Sequence, residues 1–90
     1  MKTPSYEVIF KKSALKDLQS FPTRIQKKIL EAVQILAINP YSELLQIKKL
    51  KGSDQLYRVR IQDYRVLYTV EDRVLKITII KAAHRKEAYD

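Results

Sequence analysis

The sequence predicts an α+β fold in the order β-α-α-β-β-β: a mainly antiparallel four-stranded sheet with a two-helix hairpin packed on one face. Three observations predict it. The chain has 90 residues, 46% of them hydrophobic, which suits one modest core, because a chain this short buries only about 60–65% of its unfolded surface. The apolar spacing is helical in the first half and changes to a period of two after Gln55. With a single glycine and three prolines, the periodic segments are joined by short connections. Segregated helices and strands of this kind form one layered domain, here residues 1–90.

Ser5–Phe10 (SYEVIF) reads as the first strand, with Tyr6, Val8 and Phe10 alternating against Glu7, Ile9 and Lys11. Ser13–Phe21 sets Leu15 and Leu18 among Lys16, Asp17 and Gln19, a short helix stopped by Pro22. From Thr23, the spacing of Ile25, Ile29, Val33 and Leu36 draws an apolar stripe opposite Arg24, Lys27, Lys28 and Glu31. Thr23 and Gln26 fit a capping box at the start of this second helix, and Asn39-Pro40 supplies its stop. Tyr41–Gln55 is a polar, lysine-bearing connection (QIKKLKGSD) with a turn at Gly52. Leu56–Ile61, Tyr64–Val70 and Arg73–Lys81 are then strands, separated by the two-residue breaks Gln62-Asp63 and Glu71-Asp72.

Register distributes the charges. An even-length loop at Gln62-Asp63 sets Val59 against Val66, Tyr57 against Tyr68 and Arg60 against Arg65; an odd loop would strand Val66 among arginines. A second hairpin centred on Glu71-Asp72 would put Ile77 beside Val66 and Leu75 beside Tyr68. The apolar face belongs against the helices. The other face then collects Arg58, Arg60, Arg65, Lys76 and Thr78, with Leu67 and Val74. Opposed arginines cost on the order of a few tenths to 1 kcal/mol unless an anion lies between them. With 18 Lys/Arg against 10 Asp/Glu, a net charge of +8, this face reads as a seat for a polyanion, the alternative being a merely solvated face. The tail Ala82–Asp90 holds the only histidine, and a slight curl would bring His84, Arg85 and Tyr89 to the rim of the arginines.

Several classes are set aside. There is no cysteine and one histidine, so neither a disulfide framework nor a structural zinc site is expected, and no metal or other cofactor is called for. The N-terminal MKTPSYEVIF lacks the apolar stretch of a signal peptide, and no run nears the roughly 20 apolar residues that span a bilayer. A cytoplasmic protein without membrane contact is the expectation. No carboxylate pair, Ser/His/Asp set or glycine-rich phosphate loop competes with the basic face. What that face could do is metal-independent RNA cleavage, which needs a proton removed from the ribose 2′-hydroxyl, charge relief on the phosphorane and a proton for the leaving 5′-oxygen. Arg58, Arg60 and Arg65 suit the charge relief. An imidazole such as that of His84 can both accept and donate a proton, whereas arginine is a poor base, and Tyr89 could stack on an unpaired base.

The strand order together with YRVR, DYRVLY and the terminal HRKEAY resembles the RelE/ParE superfamily of toxin–antitoxin toxins over essentially the whole chain. The resemblance implies a type II toxin that enters the ribosomal A site and cuts mRNA, leaving a 2′,3′-cyclic phosphate, and that is neutralised by a cognate antitoxin protein, acidic and partly disordered when free. Operator DNA would be met only through that antitoxin. By position, the family's basic residues fall on Arg58 and Arg60, its next-strand arginine on Arg65, and its C-terminal arginine and tyrosine on Arg85 and Tyr89. The best-known RelE-type site has lysines at the first two positions, one of them a base; here both are arginine. The expected catalytic set is therefore Arg60, Arg65, His84, Arg85 and Tyr89, with His84 as the proton-transfer candidate and Arg60 and Arg85 as the alternatives, whose role is otherwise electrostatic. Lys48, Lys49, Lys51, Arg58, Lys76 and Lys86 are the expected RNA-binding residues. Two alternatives stand beside this reading: a ParE-like inhibitor of DNA gyrase, which generally lacks the arginine-to-tyrosine tail, and a catalytically inactive nucleic-acid- or antitoxin-binding corepressor.

Overall fold

The computed structural model, which describes residues 5–50, 52 and 55–85, contains strands β1 (Glu7–Phe10), β2 (Gln46–Lys49), β3 (Leu56–Ile61), β4 (Tyr64–Glu71) and β5 (Lys76–His84), and helices α1 (Lys12–Gln19) and α2 (Thr23–Ile38). The strands form one sheet in the order β1-β5-β4-β3-β2, with β1 parallel to β5 and every other pair antiparallel. The α+β fold is as predicted, but the sheet has five strands, not four. The additional strand lies in the stretch read as a connection: Leu45 and Ile47 pack on the core while Gln46 and Lys48 are exposed. That period-two alternation is hidden in the sequence by two adjacent lysines.

The core lies between the helices and one sheet face. Ile25, Ile29, Val33 and Leu36 of α2 and Ala14 and Leu18 of α1 are buried against Val59, Val66, Tyr68, Val70, Ile77, Ile79 and Ala82. Ala14, not Leu15, is the inward partner of Leu18, and Leu15 stays 42% exposed. The capping box does not form. Pro22 occupies the N-cap of α2, Thr23 is already helical, and the Gln26 side-chain amide donates to the Phe21 carbonyl at 2.9 Å. A proline N-cap has no N–H for Gln26 to satisfy.

The β3–β4 register is the predicted one, with Val59 opposite Val66, Tyr57 opposite Tyr68 and Arg60 opposite Arg65. The β4–β5 register is not. In place of a two-residue turn at Glu71-Asp72, β4 runs through Glu71, Asp72–Val74 form a 3-10 turn, and Leu75 adopts φ 51° before β5 begins at Lys76. Asp72 anchors this corner: its carboxylate accepts the Tyr6 hydroxyl at 2.6 Å and the Tyr41 hydroxyl at 2.8 and 3.0 Å. Tyr68 therefore faces Ile79 and Val66 faces Ala82, not Leu75 and Ile77, and Val74 leaves the sheet. Between Tyr68–Ile79 and Leu67–Lys81 one residue of β5, Ile80, has no opposite number. Such a bulge exchanges the faces of every residue beyond it.

Candidate functional site

The sheet face turned away from the helices carries two cationic rows. Paired residues of a sheet share a face, so the ladder places Gln46, Arg60, Arg65 and Ala83 in one row and Lys48, Arg58, Leu67 and Lys81 in the next. Among the described residues, these rows hold five cations and no carboxylate. Lys48, Arg60 and Lys81 are exposed, and Arg58 and Arg65 are half-buried, with the Arg65 Nε inside. Toward the opposite end of the sheet the charges alternate: Lys76 lies in register with Glu71 on one side and Glu7 on the other. Lys76 thus shares the arginines' face, as expected, but stands apart from their two rows with a carboxylate residue in register on either side. Lys49 pairs with Tyr57 and thereby falls on the other face. Lys51, Lys86 and Tyr89 lie outside the described residues.

Arginines gather around the Gln62-Asp63 turn. The Arg60 Nε donates to the Gln62 carbonyl at 3.2 Å. The Arg85 backbone N–H donates to the Asp63 carbonyl at 2.6 Å, and its guanidinium lies 3.7 Å from the Asp63 carboxylate, both side chains about 60% exposed. An exposed pair at that separation is weak, which leaves the Arg85 charge available at the end of the arginine row. Bidentate contacts to phosphate oxygens suit this guanidinium cluster, and the opposed Arg60 and Arg65 are relieved by an anion between them.

His84 stands apart from the cations. It pairs with Tyr64, so it faces the helix side of the sheet, its ring edge-on to Tyr64 with centroids 5.0 Å apart and planes at 85°. Tyr64 in turn packs against Phe21 at 4.6 Å. The expected curl of His84 to the arginine rim is thus not what the ladder gives, and the cause is the bulge at Ile80. Without that extra residue His84 would change faces. The same bulge turns Lys81, which the spacing alone makes the end of a strand, into the cationic row. The signals were the consecutive apolar pairs Ile79-Ile80 and Ala82-Ala83, which break the alternation on either side of it.

Among the described residues, no group of three or more His, Asp or Glu side chains is placed to hold a metal ion, and no helix is long and apolar enough to cross a membrane.

Known proteins are similar to this chain in sequence and fold. The family model for the ParE toxin of type II toxin–antitoxin systems, parDE, matches residues 8–89. The RelE1 protein of Methanocaldococcus jannaschii is 44% identical over 87 residues, covering 93% of this chain and 94% of that protein. Among solved structures, the archaeal RelE–RelB complex of Pyrococcus horikoshii OT3 matches with a TM-score of 0.81 and 37% identity, over 93% of this chain and 99% of that one. The RelB–RelE antitoxin–toxin complex from Methanococcus jannaschii matches with a TM-score of 0.76 and 32% identity, over 91% of this chain and 95% of that one.

Proposed function

Because the chain belongs to the RelE/ParE superfamily of type II toxin–antitoxin toxins, on its RelE branch, we propose that it is a ribosome-dependent mRNA endonuclease that inhibits translation. The observation that carries this reading is the carboxylate-free pair of cationic rows, with Arg60 directly opposite Arg65. In the proposed reaction the 2′-oxygen bonds to the adjacent phosphorus, the bond to the 5′-oxygen breaks, and a 2′,3′-cyclic phosphate remains. One proton leaves the 2′-hydroxyl and one reaches the 5′-oxygen. Arg60, Arg65 and Arg85 stabilise charge on the phosphorane, which is the contribution fixed cations make best. Arg58, Lys48 and Lys86 hold neighbouring phosphates, and Tyr89 stacks on a base. His84 transfers a proton; since it lies on the other side of the sheet from Arg65, this role requires the RNA to cross the sheet end at the Gln62-Asp63 turn, where Arg85 sits.

The partners follow from the same reading: the ribosome and mRNA in the cytoplasm, and a cognate antitoxin, as the related RelE chains are seen with RelB. An acidic segment that folds on binding would complement the cationic rows. The match to the ParE model favours a second reading, inhibition of DNA gyrase. Primer extension on translated mRNA separates the two: cuts that require ribosomes support the endonuclease, whereas intact mRNA with gyrase-dependent DNA breaks overturns it. Arg65→Ala and Tyr89→Ala should abolish growth arrest while antitoxin binding persists, which a non-catalytic corepressor would not show.

A further inference from the structure

Strand β1 ends at Phe10, opposite Ile79, and the Lys11 N–H makes the next contact, to the Ile79 carbonyl at 2.9 Å. β5 runs on to His84. Along that unpartnered edge α1 takes the place of a strand. The Ser13 hydroxyl donates to the Ile80 carbonyl at 3.1 Å, and the Ala82 N–H donates to the Asp17 carboxylate at 3.1 Å. Ser13 and Asp17 are four apart, hence one helical turn apart on the same side of α1. Their two hydrogen bonds bracket Lys81.

The bracket falls on the bulge. If the Tyr68–Ile79 pairing continued without the extra residue, Lys81 would face Val66, and its ammonium would enter the core where Ala82 now sits. An unpaired charge there is strongly disfavoured. With the bulge, Lys81 faces Leu67, exposed, in the row of Lys48 and Arg58. Level with the two rows it is the cation that β5 contributes, since its neighbour on the same face, Ala83, carries no charge. The row then spans β2 to β5, roughly 14 Å at about 4.8 Å per strand.

We propose that Lys81 is a phosphate-contacting residue of the RNA face, and that Asp17, with Ser13, is the positioning residue that holds it there. This rests on the RNA reading above. A flexible stem with a compact charge suits a backbone phosphate that shifts between substrates.

The test is binding of a single-stranded 2′-O-methyl RNA, which cannot be cut, followed by fluorescence anisotropy across a salt series. Lys81→Met should lower the slope of log affinity against log salt by about 0.7 and weaken binding on the order of eightfold at about 50 mM salt. Asp17→Ala should weaken binding in the wild-type background and add little to Lys81→Met, while Asp17→Asn, which keeps an acceptor oxygen, should bind as wild type. An unchanged slope for Lys81→Met overturns the contact. Equal losses from Asp17→Ala in both backgrounds overturn the positioning role. Should thermal melting show Asp17→Ala unfolded, Ser13→Ala replaces it in the same cycle with the same two outcomes. Wild-type protein that neither binds this RNA nor cuts translated mRNA overturns the RNA reading itself, a result distinct from wild-type binding that Lys81→Met leaves intact.

Discussion

Arg60 of β3 and Arg65 of β4 stand directly opposite one another on the face the helices leave uncovered. Like charges so placed oppose folding by about 0.2–1 kcal/mol, a cost that under the proposed function an RNA phosphate between them would offset. Replacing Arg60 with threonine, a neutral strand former, should raise the melting midpoint at low salt by a few degrees, at ~4–8 °C per kcal/mol for a domain of this size. Added salt should close the gap, because it screens the wild-type repulsion. Melting curves of both proteins at two ionic strengths check this; a variant that melts with or below wild type at low salt counts against it.

The turn joining those two strands is strained. Gln62 sits at φ 55°, in the left-handed region that costs a residue with a Cβ about 1–2 kcal/mol. Gln62 is exposed, and the bond it gives Arg60 comes from its backbone carbonyl, so its side chain is dispensable. Gln62→Gly should raise the unfolding free energy by up to about 1 kcal/mol, less than the strain because glycine gains freedom in the unfolded chain. Urea denaturation should show a higher midpoint with an unchanged slope.

The corner at Asp72 makes stability depend on pH. Hydrogen bonds from the Tyr6 and Tyr41 hydroxyls hold the Asp72 carboxyl below its ordinary range. A depressed folded-state value means the carboxylate stabilises the fold above its unfolded pKa of about 3.9, and that this is lost as pH falls through the folded value. Bonding to Asp72 raises Tyr6, and burial first, then Asp72, raises Tyr41. Those two contributions are present below pH of about 10 and fade above it. The difference in melting midpoint between wild type and Asp72→Asn should therefore be widest at neutral pH and shrink in acid; a difference that stays constant down to pH of about 2 would falsify the assignment.

How much of this was legible in the sequence follows from which physical rule fixes each feature. Hydrophobic alternation alone sets the β3–β4 register, since a slip would turn Arg65 toward the helices and strand Val66 among the arginines, and so the Arg60–Arg65 pair could be read directly. The α2 stripe of Ile25, Ile29, Val33 and Leu36 was equally plain. The β4–β5 register was hidden because it depends on partners distant in sequence: Asp72 is held by Tyr6 and Tyr41, and the bulge by Ser13 and Asp17. Local spacing cannot report such contacts. One turn and one bulge together set where Lys76, Lys81 and His84 lie, which is why the arginines of β3 and β4 keep their expected register while the residues around them do not.

His84 offers the sharpest separation between chemistry and packing. Its ring lies edge-on to Tyr64, a contact worth about 0.5–1.5 kcal/mol beyond area burial, whereas a proton-transfer group contributes about 10²–10⁴-fold in rate. Under the proposed function, His84→Gln should lower ribosome-dependent cleavage within that range. His84→Phe restores the aromatic contact without a titrating group, so its stability should return while its activity does not. Single-turnover cleavage, alongside melting of both variants, supplies both readouts. If His84→Phe cuts mRNA at the wild-type rate, the imidazole is a packing residue, and proton transfer falls to the ribosome or to the arginine side of the sheet.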